Sequence, residues 1–158
     1  MGHGAVEFVV VAFRGTRIDS SLATALRAQV EKGTIRIIDL LFMQKDQDGN
    51  VRPFELDEVA KDKEYKGFRG VAQEIDGLIA PDDVKEISAA LPSGTTAMIV
   101  LFEHAWLRDL RRAVEVSGGK LVFSQRIPGE VVDAVAEAGA KEAAAKDARA
   151  KDARAKAA

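Results

Sequence analysis

No cysteine occurs in the chain, which removes disulfides, thiolate metal sites, iron–sulfur clusters and cysteine nucleophiles together. Long apolar runs are missing too: the longest, residues 97–102, falls far short of the roughly 20 residues that cross a bilayer. Histidine is limited to His3 and His104, and nothing is spaced as a metal-ligand set. Neither GxGxxG nor GxxxxGK[ST] is present, so Arg14-Gly15 and Gly118-Gly119 form no phosphate loop. One tryptophan and one tyrosine leave Tyr65 and Phe68 as the one imaginable stacking platform, too thin to argue for RNA. The opening Met1-Gly2-His3-Gly4 lacks the basic-then-apolar order of a secretory signal, and Val6 stands where myristoylation expects Ser or Thr. A net charge of -2 argues against nucleic acid as the main partner. A soluble cytoplasmic protein without cofactor or membrane insertion is expected.

What the chain does have is one pattern stated twice. Phe8, Val9, Val10 and Val11 precede a helical stripe of Leu22, Leu26 and Val30, then Gly33 and an apolar run from Ile35 to Phe42. Met98, Ile99, Val100 and Leu101 precede Leu107, Leu110 and Val114, then Gly118-Gly119 and a fifth strand at Leu121, Val122 and Phe123. Paired strand–helix–strand units of this length predict an α+β fold, a ferredoxin-like sandwich of duplicated βαβ units. The domain is placed at residues 4–136, long enough to bury a core unaided.

Between the copies, Asp48-Gly49-Asn50 predicts a hairpin turn into a strand over residues 51–56, and Pro53 confines that strand to an edge. A polar stretch over 57–66 is a short helix or a loop. Val71, Ile75 and Leu78 suggest one helix, and Pro81 opens another whose inner face is Val84, Ile87 and Leu91. Pro128 begins a last helix along Val131, Val132 and Val135. The tail, residues 137–158, holds eleven alanines in 22 residues, with each acid four positions before a lysine. That order favours a solvated helix by about 0.2–0.5 kcal/mol per pair. A five-residue repeat leaves no apolar seam, so a coiled coil is not expected, and a solvated helix or a disordered spacer is.

The central strands are apolar on both faces. Phe8 and Val10 oppose Val9, Val11 and Phe13; Ile99 and Leu101 oppose Met98, Val100 and Phe102; strict alternation sets Ile35, Ile37, Leu41 and Met43 against Ile38, Leu40 and Phe42. Helices cover one face of a two-layer sandwich. The second face must be covered by helices within 71–91, by the helix after Pro128, or by another subunit, with Val9, Val11, Met98 and Val100 as the candidate oligomer interface.

Candidate chemistry is sparse. Asp39 interrupts an apolar strand, where a buried carboxylate must be paired or hydrogen-bonded; Arg14 is a possible partner, and a general base the functional alternative. Glu103-His104-Ala105-Trp106 lies where a strand hands over to a helix, a common place for ligands. With Arg14 as an anion partner, Glu103, His104 and Trp106 are read as a small polar pocket, against the plainer reading of a helix cap and a packed ring. Arg108, Arg111 and Arg112, with Lys120 beyond, form a basic cluster read as a solvated face or an anion site.

Three blocks carry a resemblance: residues 7–13, residues 33–42, and Glu103-His104-Ala105-Trp106. Over roughly residues 7–135 the chain resembles a group of small actinobacterial proteins of unknown function, similar in layout to a group whose members insert a glycine-rich membrane hairpin that this chain lacks. The resemblance implies a soluble bacterial protein and places Asp39 and Glu103-His104 in a shared pattern. The expectation is a non-enzymatic, self-associating structural or scaffold protein. The alternative is a small-molecule or anion-binding regulatory module. An enzyme using Asp39 or His104 for proton transfer lacks a second catalytic partner.

Overall fold

Strand β1, Val6–Arg14, leads into helix α1, Ser20–Glu31. Asp19 opens the helix by accepting a hydrogen bond from the Ser21 amide at 2.8 Å. Gly33, at a φ of +70°, closes it in a Schellman turn: Gly33 N–H donates to Val30 O and Thr34 N–H to Gln29 O, both at 3.0 Å. Strands β2, Arg36–Lys45, and β3, Val51–Glu55, form a hairpin. Its loop is organised by Asp46, whose carboxylate accepts from the Asp48 and Asn50 amides. Helix α2, Leu56–Val59, a 3-10 turn at Lys66–Phe68, helix α3, Pro81–Ala90, strand β4, Thr95–Glu103, helix α4, Ala105–Val116, and helix α5, Gly129–Ala157, follow. This computed structural model describes residues 3–59, 63, 65–71 and 77–157. The helix expected through Val71, Ile75 and Leu78 falls largely on residues outside that set.

The fold is α+β, with one four-stranded antiparallel sheet in the order β1-β4-β2-β3. Both crossovers are split: β4 lies between β1 and β2, and β2 lies between β3 and β4. Pro53 sits on the edge strand β3, as its missing N–H requires. The expected second strand of the second copy is absent: Leu121, Val122 and Phe123 are exposed and carry no strand. Three apolar residues ahead of Ser124-Gln125-Arg126 make a short and weak ladder.

Two compact units are present, Met1–Gly119 and Lys120–Ala158. In the second, α5 runs without interruption through residue 137 and into the tail. Glu142 with Lys146, Asp147 with Lys151 and Asp152 with Lys156 pair along it at 3.5, 3.2 and 3.0 Å, so the alanine-rich tail is a solvated helix. No helix among the described residues is long and apolar enough to cross a membrane.

In the first unit, α1 covers one sheet face. Leu22, Leu26 and Val30 pack against a core that includes Ile37, Leu40, Phe42, Met98 and Val100. Arg27 fastens α1 to the 3-10 turn by donating to Gly67 O at 2.5 Å and Arg69 O at 2.9 Å. Phe42 is ringed by Phe54, Tyr65 and Phe68, with ring centroids 5.7, 5.0 and 5.2 Å away. Tyr65 and Phe68 are therefore core residues, not a stacking platform.

A bulge at Ile38 corrects the simple alternation expected along β2. Ile37 pairs with Phe102 and Asp39 with Leu101, so the ladder steps over one residue. Ile37 thereby joins Leu40 and Phe42 beneath α1. Asp39 turns to the second face beside Leu41 and Met43.

On that second face, Ile79, Val84, Ile87 and Leu91 from and around α3 cover Leu41, Met43, Ala97 and Ile99. A fully buried side chain of this kind is worth about 1.5–3 kcal/mol, whereas ordering backbone costs about 1–2 kcal/mol per residue. Apolar contact by itself is a thin margin for a ten-residue helix, and polar anchors hold both ends. Asp39 accepts from the Ile79 amide at 2.8 Å, and Lys45 donates to Ser88 O and Leu91 O, each at 2.9 Å. The cover stops short of β1, whose second-face residues Val6, Phe8 and Val10 are 46, 44 and 38% exposed.

Candidate functional site

Register decides which candidate residues meet. Val6 pairs with Glu103 and Arg14 with Thr95, so Arg14 and Glu103 lie at opposite ends of the β1–β4 ladder. Eight residues of strand separate those ends by roughly 27 Å. The polar pocket imagined from Arg14, Glu103 and His104 is therefore not assembled in this fold. Arg14 does not reach Asp39 either: Arg14 pairs with Thr95 and Asp39 with Leu101, six residues apart along β4. The two carboxylate oxygens of Asp39 accept from the backbone amides of Leu40 at 2.9 Å and Ile79 at 2.8 Å. Its role is to pin the entry of α3 onto the sheet.

Glu103 is the centre of a dense polar cluster in the first unit. Its side chain is fully buried at the end of β4. It accepts from the Gly4 amide at 2.6 Å and from Arg36 Nε at 3.0 Å, with Arg108 Nη1 at 3.7 Å and His3 Nδ1 at 3.8 Å. Arg36 also contacts His3 Nδ1 through Nη2 at 2.8 Å. Burial pushes the Glu103 carboxyl upward, but the Gly4 amide, the Arg36 hydrogen bond and the charges of Arg108 and Arg36 outweigh it. The pKa lies below its ordinary value of 4.5.

That shift has a sign that can be checked. A carboxylate whose pKa is lowered by folding contributes stability above its unfolded pKa, and the contribution fades as pH falls through the folded one. Acidifying the protein below about pH 4.5 should therefore remove stability that Glu103→Gln never had. Melting curves of the two proteins from pH 6 down to 3 should converge toward acid. Parallel curves would show that Glu103 ionisation is not linked to folding.

His104 belongs to a different contact. Its Nε2 lies 2.9 Å from Glu7 Oε2, its ring stands edge-on to Phe102 with centroids 5.2 Å apart, and its amide donates to Ala5 O. The pair braces the start of α4 against the start of β1. Trp106 is half-exposed, its amide directed at Thr34 O at 3.4 Å. Helix α4 has two unlike sides: Trp106 and Leu110 present apolar surface to solvent, while Arg108, Arg112 and Glu115 share the other side at i, i+4 and i+7 spacing.

The four residues expected at an oligomer interface are on the covered face. Met98 and Val100 are buried, and Val9 and Val11 pack against the same core under α1. The sheet's open apolar surface is the opposite side of β1. Sequence reasoning also missed Arg36 as a site residue. The available signal was charge opposition: antiparallel pairing of β2 with β4 sets Arg36 directly across from Glu103.

Residues 2–144 match a family of unknown function, DUF6325. No curated protein and no solved structure matches the chain.

Proposed function

We propose that this chain, which belongs to the DUF6325 family, is a non-enzymatic structural protein that associates with copies of itself through strand β1. The observation that carries the reading is the character of that edge. β1 is nine residues long, ends the sheet, and exposes Val6, Phe8 and Val10 on its uncovered face. Proteins that stay monomeric blunt such an edge with lysine, proline, a bulge or a covering element. Between Glu7 and Phe13, β1 carries no lysine, proline or bulge. An antiparallel β1–β1 contact centred on Val10 would set Phe8 opposite Ala12 and Val10 opposite itself, a self-complementary apolar strip of the kind a two-fold axis requires. The half-exposed Trp106 and Leu110 of α4 supply further apolar surface for assembly. The βαββαβ element order through Glu103 supports a relation to the ferredoxin-like layout, here with β2 and β4 at the centre of the sheet. A soluble, cytoplasmic bacterial protein fits the reading.

Sedimentation of the parent protein and of Phe8→Lys and Val10→Lys tests it. Both side chains are already about half in water, so each lysine variant should keep its stability within about 0.5 kcal/mol. The parent should sediment as a discrete oligomer and the variants as smaller species. A parent that stays monomeric at its highest soluble concentration would sink the proposal. Val9→Lys is no substitute, because it would unfold the first core.

A further inference from the structure

The geometry points to a binding site for a phosphorylated small molecule with an apolar body, at the end of the sheet where Glu103 is buried. A cleft of about 670 Å³ opens there, lined by Arg36, Arg108, Arg111, Arg112 and His3. A second cleft, of about 550 Å³, shares Arg36, Arg108 and Asp109 with the first and continues along Val30, Ile35, Ile37 and Val71. One side of the shared wall is thus rich in guanidinium groups and the other is mainly apolar. Clefts of this size suit small organic ligands, in which a few polar groups fix orientation and apolar walls supply area.

Two of the arginines, Arg36 and Arg108, are held in place rather than merely gathered. Glu103, fully buried, takes the Nε of Arg36 and draws Arg108 within 3.7 Å. A guanidinium has five N–H donors in a fixed fork. Glu103 and His3 engage two nitrogens of Arg36, Nε and Nη2, which fixes its plane and leaves further donors on it. Preset, planar donors match the oxygens of a phosphate better than mobile ammonium groups do. The cleft also contains Asp109 and Glu115. With Glu103 these three carboxylates offset most of the four guanidinium charges and leave one positive charge in excess. Such a balance favours a single compact anion over a long polyanion. A nucleic acid would need a basic stripe, and the chain as a whole carries a net charge of -2. The apolar half of the double cleft then accounts for what an inorganic ion would leave unfilled. Here Glu103 acts as a positioning residue and Arg36, Arg108 and Arg111 as the anion's direct contacts.

This inference is independent of self-association through β1, and its test does not read oligomeric state. Calorimetric titration of the full chain would use 1-naphthyl phosphate, 1-naphthol, inorganic phosphate and a short single-stranded RNA as probes. Naphthyl phosphate should bind about tenfold or more tightly than inorganic phosphate, and naphthol should not bind measurably. Arg111→Gln, outside the Glu103 cluster, should leave folding intact and weaken naphthyl phosphate about tenfold. Ile35→Ser should reduce the advantage of naphthyl phosphate over phosphate while leaving phosphate itself unchanged. Arg36→Lys keeps a charge beside Glu103 but removes the fork, and should weaken both phosphates with little change in melting temperature. Absence of phosphate binding, equal affinity for the two phosphates, or full binding by Arg111→Gln together with Arg36→Lys would each overturn the proposal. Preferential binding of RNA would overturn it in favour of a nucleic-acid surface.

Discussion

Replacing Phe42 with alanine is expected to cost about 3–5 kcal/mol of folding stability, the largest single effect we foresee in this chain. Phe42 has no solvent exposure and lies among three other aromatic rings, stacked at 13° on Phe54 and edge-on to Tyr65 and Phe68. Truncation would remove the ring about which the other three are arranged. The hole would be bounded by α1 on one side and by β2 and β3 on the other, elements whose backbones are fixed by ladder and cap hydrogen bonds. Collapse to fill it is correspondingly restricted, and the cavity cost adds to the lost transfer energy. Phe42→Leu, which keeps most of the volume, should cost markedly less. Urea unfolding of the three proteins checks both statements. A loss below about 1 kcal/mol for the alanine variant would mean the ring cluster is loosely packed.

The aromatic cluster also shows where reading the sequence works and where it stops. Phe42 could be assigned to a core from its place in an apolar strand. Tyr65 and Phe68 could not, because they sit in a polar stretch without periodicity, and only the return of that stretch against α1 buries them. The first four strands and the glycine after α1 were legible for a local reason: each is specified by a few adjacent residues, as at Gly33. Strand order was less so. Register and neighbour choice depend on long-range pairing, and the bulge at Ile38 moved Ile37 to the other face without any local signal. The fifth strand was read from a repeat that the chain only half completes.

The same distinction applies to the site. Glu103 and His104 were singled out together, yet they serve separate contacts on the two sides of the sheet, a consequence of alternation at the end of β4. Arg14 was grouped with them because it ends the corresponding strand of the first copy. Antiparallel pairing sends that end to the far side of the sheet. Val9, Val11, Met98 and Val100 were sound choices for an apolar face. Which of two apolar faces stays open depends on where α1 and α3 dock.

Asp39→Ala should lower stability by about 2–4 kcal/mol, and its effect should be local before it is global. The carboxylate is 2% exposed and holds two amides, that of Leu40 within the bulge and that of Ile79 at the approach to α3. Losing it leaves two buried or half-buried N–H donors without an acceptor, each worth about 1–3 kcal/mol. Asp39→Asn should recover only part of the loss, because its amide nitrogen would point a donor at one of the two backbone donors. The Leu40 amide lies inside the central sheet, but the Ile79 amide is the link between that sheet and the helix covering Leu41, Met43 and Ile99. With the tether gone, α3 retains its apolar contact, a thin margin by itself for a helix of ten residues, and is anchored by Lys45 at its C-terminal end alone. Hydrogen exchange should therefore accelerate across Pro81–Ala90 in the alanine variant under conditions where β2 and β4 stay protected. If exchange rises uniformly through the first unit instead, Asp39 stabilises the sheet as a whole and the tether account fails. If neither stability nor exchange changes, the two amides find water as readily as they find the carboxylate, and Asp39 returns to being an unexplained charge in an apolar strand.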